Sequence, residues 1–345
     1  MCRLQCGKPC SANTIWQDWI LAPAIGLGNV LLIERGMLAS GPSGAAAGAL
    51  IPEVHALTDP PGFVGLARAG LELYRRLDVE WEGALDLRNL DRLVLLAQDA
   101  VQGTAEALTA EQIRELEPDL APMHGALRFR DQAWINPLRL AATHARHAGK
   151  IATGTEVLGL ATKAGRVTAV ETTNGVVHPG AVVFATGLAP EPWLRLTQRR
   201  VKGHLIAVGA GPFRIRCMVG EPNMSIVPLP GGGLVAGGTH NEDDMSPDVR
   251  PESAAGIKRR LGELIPGAQS AQVTHTWCCF RPATADLQPV IDRMPGLDNA
   301  WVTCGHYGTG ILLAPATGAA LASWIADGRR PQEIESFSLE RFDTA

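Results

Sequence analysis

The sequence predicts an α/β protein that is rich in strands and turns. Its 345 residues are 46% hydrophobic and 19% charged, the composition of a globular chain that can bury one large core or two interleaved ones. The 38 glycines and 24 prolines indicate many turns. Short runs rich in β-branched residues alternate with helical patterns along the chain. Together these three observations favour a strand-rich α/β or α+β architecture.

Charge and hydropathy exclude two classes of partner. The formal net charge of −4 provides no basic field, so nucleic acid is not an expected partner. Two uncharged runs, residues 19–33 and 311–325, each contain proline and glycine and are shorter than a membrane span. The sequence therefore predicts no membrane-spanning helix.

Seven cysteines are scattered along the chain, and their odd number does not suggest a disulfide scaffold. A reducing, cytoplasmic location fits this pattern better. Cys2, Cys6 and Cys10 lie close together, but no fourth ligand follows at a recognised spacing, so no metal site is predicted.

In chain order, the first clear element is an apolar strand at residues 30–36 that ends in Glu34 and Arg35. In a dinucleotide-binding fold, an acid at this place accepts hydrogen bonds from the ribose hydroxyls. The G-x-G-x-x-G turn expected about 20 residues upstream is absent. Three explanations remain open: the segment has diverged, the reading frame at the start is altered, or tight cofactor binding has been lost.

A loop of small residues follows at residues 40–52. Its glycines, alanines and hydroxyls allow close approach of the backbone to a pyrophosphate or a flavin ring, and the alternative is a loop that packs on a neighbouring helix. The positions proposed for ligand contact are Ser43, Gly44, Ala45, Ala46 and Gly48.

The middle of the chain mixes helices with short strands. Helices are predicted from residue 61 to 77 and from 137 to about 149, and Thr109 with Gln112 forms a capping box. Alternating patterns predict a three-strand meander at residues 156–161, 166–172 and 176–184. The last of these strands runs into the turn Ala185-Thr186-Gly187.

The second half predicts a sheet that covers a pocket. Strands are expected near residues 204–208, 224–228, 233–238 and 271–280, with a helix at 251–264. Arg281 follows the last strand and directly precedes a proline. Its planar pair of donors matches a carboxylate, although many arginines are simply solvated.

The strand predicted at residues 300–304 leads into a glycine turn and then a helix from 311 to about 326. Pro315 is expected in the first turn of that helix, where a missing N–H has no cost. The free N–H groups and the positive end of the helix dipole would face the turn, which suits an anionic atom.

The sequence of residues 305–318 resembles the C-terminal flavin signature of the D-amino-acid oxidase and glycine oxidase family. Residues 277–291 resemble that family's W-x-x-x-R-P segment. The resemblance extends from about residue 30 to the end. It implies a Rossmann-like FAD-binding domain of the two-dinucleotide-binding type, interleaved with an α+β substrate domain built on an antiparallel sheet. The implied FAD-binding domain comprises residues 1–60, 138–200 and 282–345, and the substrate domain 61–137 and 201–281.

The same resemblance implies that FAD lies against the start of the C-terminal helix and that the backbone of Val157 meets its adenine. The residues it assigns to the cofactor are Glu34, Arg35, Ser43, Gly44, Ala45, Ala46, Gly48, Val157, Ala185, Thr186, Gly187, Gly305, His306, Gly308, Thr309, Gly310, Ile311 and Leu312.

The implied reaction is oxidation of an amino acid or a related amine by hydride transfer to FAD, with molecular oxygen or another acceptor taking the electrons. Arg281 would hold the substrate carboxylate, and Tyr307, His240 and His306 are candidate pocket residues. No protein base is required if the substrate amine arrives neutral.

Two departures from the family concern the pocket. Glycine oxidases tend to carry a tyrosine where Ser225 stands and an arginine where Gly308 stands, which argues against glycine and favours a bulkier substrate, a secondary amine or a different acid. Two alternatives stay open: oxidation of a 2-hydroxy acid on the same fold, and an inactive relative without tight FAD binding. Assembly into a homo-oligomer is also left open.

Overall fold

The computed structural model describes residues 30–96, 105–222 and 224–342. The segment with the missing glycine motif and Cys2, Cys6 and Cys10 lies outside them. The strands of the described part are β1 (Leu31–Ile33), β2 (Ala49–Leu50), β3 (Arg88–Leu96), β4 (Glu106–Thr109), β5 (Gly125–Trp134), β6 (Lys150–Ala152), β7 (Val157–Lys163), β8 (Arg166–Thr172), β9 (Gly175–Val177), β10 (Val182–Gly187), β11 (Gln198–Val208), β12 (Met218–Glu221), β13 (Met224–Pro228), β14 (Leu234–Gly237), β15 (Val273–Thr284), β16 (Val290–Arg293) and β17 (Ala300–Cys304). The helices are α1 (Pro52–His55), α2 (Pro61–Glu80), α3 (Ala110–Leu116), α4 (Pro137–His147), α5 (Pro251–Leu264) and α6 (Gly310–Asp327).

The largest sheet has nine strands and is almost entirely antiparallel. Its order is β15-β11-β14-β13-β12-β3-β5-β2, and β4 pairs with β5. Each predicted strand of the second half is present, and α5 has the predicted bounds. The capping box at Thr109 is confirmed, because Thr109 and Gln112 exchange both hydrogen bonds. This sheet forms one wall of the pocket described below.

Two of the three smaller sheets contain parallel strand pairs. β1 pairs in parallel with β6, and β10 pairs in parallel with β17. The predicted α/β class is thereby confirmed, whereas the domain boundaries stay a prediction. The third meander strand, predicted at 176–184, is wrong as one element: it divides into β9 and β10, which belong to different sheets. Pro179 lies between them and cannot donate a ladder hydrogen bond.

Helix α6 is the central element of the core that it shares with α2. Leu312, Leu313 and Leu321 are buried in the same hydrophobic cluster as Leu66 and Leu71 of α2. By length and hydropathy α6 is the one helix in the described residues that would qualify as a membrane span, but 67% of it is buried inside the protein. That degree of burial is typical of a core helix.

Pro315 lies inside α6 rather than in its first turn, which corrects the prediction. A proline at this position cannot donate to the carbonyl of Ile311, four residues earlier. The hydroxyl of Tyr74 on α2 donates to that carbonyl instead, at 2.7 Å. Tyr74 itself is fully buried. A partner from a second helix therefore satisfies the backbone acceptor that proline leaves free.

We expect Tyr74→Phe to lower the free energy of unfolding by about 1–2 kcal/mol, because the Ile311 carbonyl stays buried without this donor. Urea denaturation of both proteins measures the difference. In a Pro315→Ala background the alanine N–H can donate to the same carbonyl, so the cost of Tyr74→Phe should fall. An equal cost in both backgrounds would contradict this account.

Candidate active site

A cavity of about 360 Å³ lies between the large sheet, the small-residue loop and the start of α6. The sheet contributes Arg92, Gly203, Ser225 and Arg281 among others. The predicted site residues that line it are Ser43, Ala45, Ala46, Gly48, His240, Arg281, Tyr307, Gly308, Thr309, Gly310, Ile311 and Leu312. Segments far apart in sequence therefore meet at one cavity.

The small-residue loop needs glycine where it passes close to other backbone. Gly48 has φ of +83°, and a Cβ there would lie 2.0 Å from the carbonyl oxygen of Ile135. A Cβ at Gly44 would lie 2.0 Å from the carbonyl oxygen of Ala39. Gly44 is therefore required for the loop's own turn and does not line the cavity, unlike Ser43 and Ala45.

The N-terminus of α6 faces the cavity, and its first backbone N–H groups have no partner within the helix. Thr309 precedes the helix without a side-chain cap, and the first turn contains no acid. Gly310, Ile311 and Leu312 all line the cavity. The first N–H groups of a helix have no partner within it, and the dipole is positive at this end. This wall of the cavity favours an anionic or electron-rich ligand atom.

Arg281 extends its guanidinium across the neighbouring strand. A Cβ at Gly203 would lie 2.5 Å from Arg281 Nη2, so glycine on β11 leaves room for the charged group. Arg281 Nη1 donates to the carbonyl oxygen of Thr239 at 2.9 Å. Burial lowers the pKa of the guanidinium, but arginine keeps its charge at neutral pH. In the part of the chain that the structure describes, no carboxylate forms an ion pair with it.

Two ring side chains lie beside Arg281. Its Cζ is 6.0 Å from the ring centroid of Tyr307, and the rings of Tyr307 and His240 are 6.2 Å apart. Burial and, secondarily, the charge of Arg281 lower the pKa of His240, and burial raises the pKa of Tyr307. Both rings are therefore neutral near pH 7. Tyr307 has φ of +49°, a left-handed conformation that costs a non-glycine residue about 1–2 kcal/mol.

A second group of predicted residues lies at the end of β1. Glu34 is fully buried; its Oε1 accepts from the Gly36 amide at 2.5 Å, while Oε2 has no partner within the described residues. Burial raises the pKa of Glu34 to about 7. Arg35 contacts Glu156 at 3.4 Å, next to Val157 at the start of β7. Glu34, Arg35 and Val157 are thus brought together away from the cavity.

The remaining predicted residues form the turns that support the cavity. The Gly305 amide donates to the Gly187 carbonyl at 2.7 Å, which joins the turn Ala185-Thr186-Gly187 to the one that opens α6. His306 was expected in the pocket, but its side chain is fully buried near Thr303 and does not line the cavity. Burial lowers the pKa of His306 to about 3. Its role here is to shape the turn, since its carbonyl accepts from Thr309 Oγ1 at 2.8 Å.

The arrangement fits FAD at two separate places. The unpartnered Glu34 Oε2 is a buried acceptor of the kind that ribose hydroxyls satisfy. The cavity presents small side chains on one side and the uncapped start of α6 on the other, which leaves room for a flat ring and provides N–H donors for it. Both features are formed by residues that are predicted from the sequence to contact the cofactor.

Arg92 is a charged residue of the cavity lining that the sequence does not predict, as are His55 and Glu221. It lies on β3 and is only 6% exposed, and its Nη1 donates to Ser225 Oγ at 2.8 Å. Its neighbours at alternate positions, Leu90 and Val94, are apolar. The sequence signal for this residue is a charged side chain at a strand position whose alternate neighbours are apolar and face inward.

Comparisons with known proteins agree with this geometry. Residues 19–324 match the sequence model of a family described as FAD dependent oxidoreductase (DAO). Glycine oxidase from Bacillus licheniformis is 30% identical over 90% of this chain and 90% of its own length. The crystal structure of glycine oxidase from Geobacillus kaustophilus superposes with a TM-score of 0.81 at 26% identity, covering 91% of this chain and 92% of the other. L-proline dehydrogenase from P. horikoshii shares the fold, with a TM-score of 0.79 at 19% identity over 91% of each chain.

Proposed function

Since the chain belongs to the FAD-dependent oxidoreductase (DAO) family, with FAD as its cofactor, we propose that it oxidises the carbon–nitrogen bond of an amino acid or related amine. The two relatives above that are called glycine oxidase support a substrate of this class. The departures at Ser225 and Gly308 favour a substrate other than glycine. Reoxidation by molecular oxygen or by another acceptor is part of the proposal.

The observation that carries this proposal is the buried charge of Arg281. Its guanidinium faces the cavity beside the start of α6, and its Nη1 donates a hydrogen bond to the Thr239 carbonyl. A guanidinium in this position retains donors for a carboxylate, which it can hold by two parallel hydrogen bonds. An α-carboxylate held there fixes the carbon that carries the nitrogen.

In this reaction the main task of the protein is to bind and orient the substrate. When bound, FAD supplies two-electron acceptance of a hydride and passes the electrons to an acceptor. Arg281 binds the carboxylate, and the neutral rings of His240 and Tyr307 border it without adding charge. The alanines of the loop and Ile311 and Leu312 make the opposite wall apolar, which excludes water from the reacting carbon.

The test is anaerobic addition of candidate substrates to the purified FAD-bound protein. An amino acid or secondary amine that bleaches the visible flavin spectrum supports the proposal, and ammonia or amine release on re-aeration identifies the bond broken. Bleaching by 2-hydroxy acids alone would replace the proposal with oxidation of a C–O bond. A protein that retains no flavin after FAD is supplied would favour the inactive alternative.

We expect Gly203→Ala to raise KM for the substrate about tenfold with little change in bound FAD. The new Cβ would lie 2.5 Å from Arg281 Nη2, so the guanidinium must move away from its carboxylate-binding position. Gly256→Ala is the control, because a Cβ there meets nothing within 4 Å. In an Arg281→Met background Gly203→Ala should raise KM no further. A second, additive increase in KM would contradict this mechanism.

A further inference from the structure

Arg92 is a buried cation that the proposed reaction does not use. It lines the cavity, is 6% exposed, and stands over Gly220, where a Cβ would lie 1.9 Å from its Nη2. Its Nη1 donates to Ser225 Oγ, and its Nε has no partner among the described residues. A serine at position 225 is small enough to leave space in front of this guanidinium.

The charges around the cavity leave Arg92 without an anion. Glu221 is the one acid among the described lining residues, and Arg260 holds it with two hydrogen bonds of 2.8 and 2.6 Å. Burial lowers the pKa of Arg92 to about 10, which still leaves the group charged at neutral pH. A buried charge without a counter-ion is costly, so an anionic ligand at this place would be strongly favoured.

Arg92 and Arg281 reach toward each other across one face of the large sheet. Strand pairing places Gly220 opposite Ser225 and Ser225 opposite Gly237. Arg92 is anchored at Ser225, while Arg281 is anchored at Thr239, two residues beyond Gly237. By strand spacing and residue rise the two guanidinium groups are separated by a gap on the order of 10 Å.

We propose that the cavity binds an amino acid or secondary amine with two carboxylates, one held by Arg281 and the other by Arg92. Carboxyl carbons separated by four single bonds lie about 5 Å apart, which fits between two guanidinium groups at this separation. Ser225 accepts a hydrogen bond from Arg92 and so orients the guanidinium. This inference rests on the proposed function and specifies its substrate class.

The experiment measures binding of unreactive acids to the FAD-bound protein, so it does not depend on turnover. Glutarate and butyrate are titrated while the flavin absorbance is followed. We expect glutarate to bind about 100-fold more tightly than butyrate. Arg92→Met should abolish that preference by weakening glutarate alone, and Gly220→Ala should reduce it by displacing the guanidinium.

Three variants separate this role from a structural one. Arg92→Lys keeps a charge and should retain part of the glutarate preference, whereas Arg130→Met removes an exposed surface charge and should leave it intact. Arg92→Met should not lower Tm, because it removes a buried charge that lacks an acidic partner in the described residues. A fall in Tm with no change in glutarate preference would assign Arg92 to the fold and overturn the proposal.

Two further results would overturn it. Equal affinity of the parent protein for glutarate and butyrate would show that no second anion site exists. Equal weakening of both acids by Arg92→Met would mean that Arg92 and Arg281 share one carboxylate. Failure of the proposed function gives a different pattern: glutarate binds in an Arg92-dependent manner, but no amino acid or amine bleaches the flavin.

Discussion

Replacing Arg281 with methionine should lower kcat/KM for an amino-acid substrate about 1,000-fold while FAD remains bound. The guanidinium is buried and has no ion-pair partner in the described residues, so its charge is available to the substrate carboxylate. Methionine keeps the apolar stem and removes both donors. Steady-state kinetics, with flavin content from absorbance, measures the two effects separately.

Two variants sharpen the interpretation of Arg281. Arg281→Lys should lower kcat/KM less, by about 10- to 100-fold, because an ammonium retains the charge but cannot make two parallel hydrogen bonds. Arg199→Met is the matched control: Arg199 lies on the adjoining strand β11, is exposed and pairs with Glu242 at 2.8 Å. Unchanged kcat/KM in Arg281→Met would exclude carboxylate binding by this residue.

Glu34→Gln should weaken FAD binding about 100-fold. The carboxylate would accept ribose hydroxyls at its unpartnered Oε2, and a hydrogen bond to a charged acceptor contributes about 1.5–3 kcal/mol. Equilibrium binding of FAD to the apoprotein, followed by quenching of flavin fluorescence, measures the affinity. Glu80→Gln, at an exposed position on α2, is the control that should bind as the parent does.

The pKa of Glu34 also predicts a pH dependence. Because burial raises that pKa to about 7, protonation competes with ribose binding in the apoprotein below pH 7, so FAD affinity should rise about tenfold between pH 6 and pH 8. The apoprotein's stability changes in the opposite sense. Between pH 4.5 and 7 the unfolded state loses this proton before the folded state does, so stability falls as pH rises. A flat FAD affinity in the parent, or the same slope in Glu34→Gln, would contradict the assignment.

Local patterns were enough to predict most of the elements near the site. The helix at α5, the strand at β17 and the capping box at Thr109 follow from short-range signals: proline at a helix start, β-branched residues in a strand, and a hydroxyl three residues before glutamine. Arg281 is predicted from the W-x-x-x-R-P segment at residues 277–282 and from the match between a guanidinium and a carboxylate. These features depend on near neighbours in sequence.

The errors have a common cause, which is that the deciding partner is distant in sequence. Pro315 is tolerated inside α6 because Tyr74, 241 residues earlier, satisfies the Ile311 carbonyl. His306 is buried behind its turn by the packing around Thr303. The role of Arg92 depends on Ser225 and Gly220, which reach it only through strand pairing. Contacts between residues so far apart leave no periodic pattern in the local sequence.

The sequence by itself determined the α/β class and the FAD-dependent family, because these depend on local patterns and on motif sequences, and it predicted a set of cofactor and pocket residues. Only the tertiary structure decided which of those residues share one cavity. It also revealed that a second buried arginine faces the cavity. Strand order and register decide which side chains lie near each other on one face of a sheet. They bring β3 and β15 to this pocket although nearly 180 residues separate the two strands.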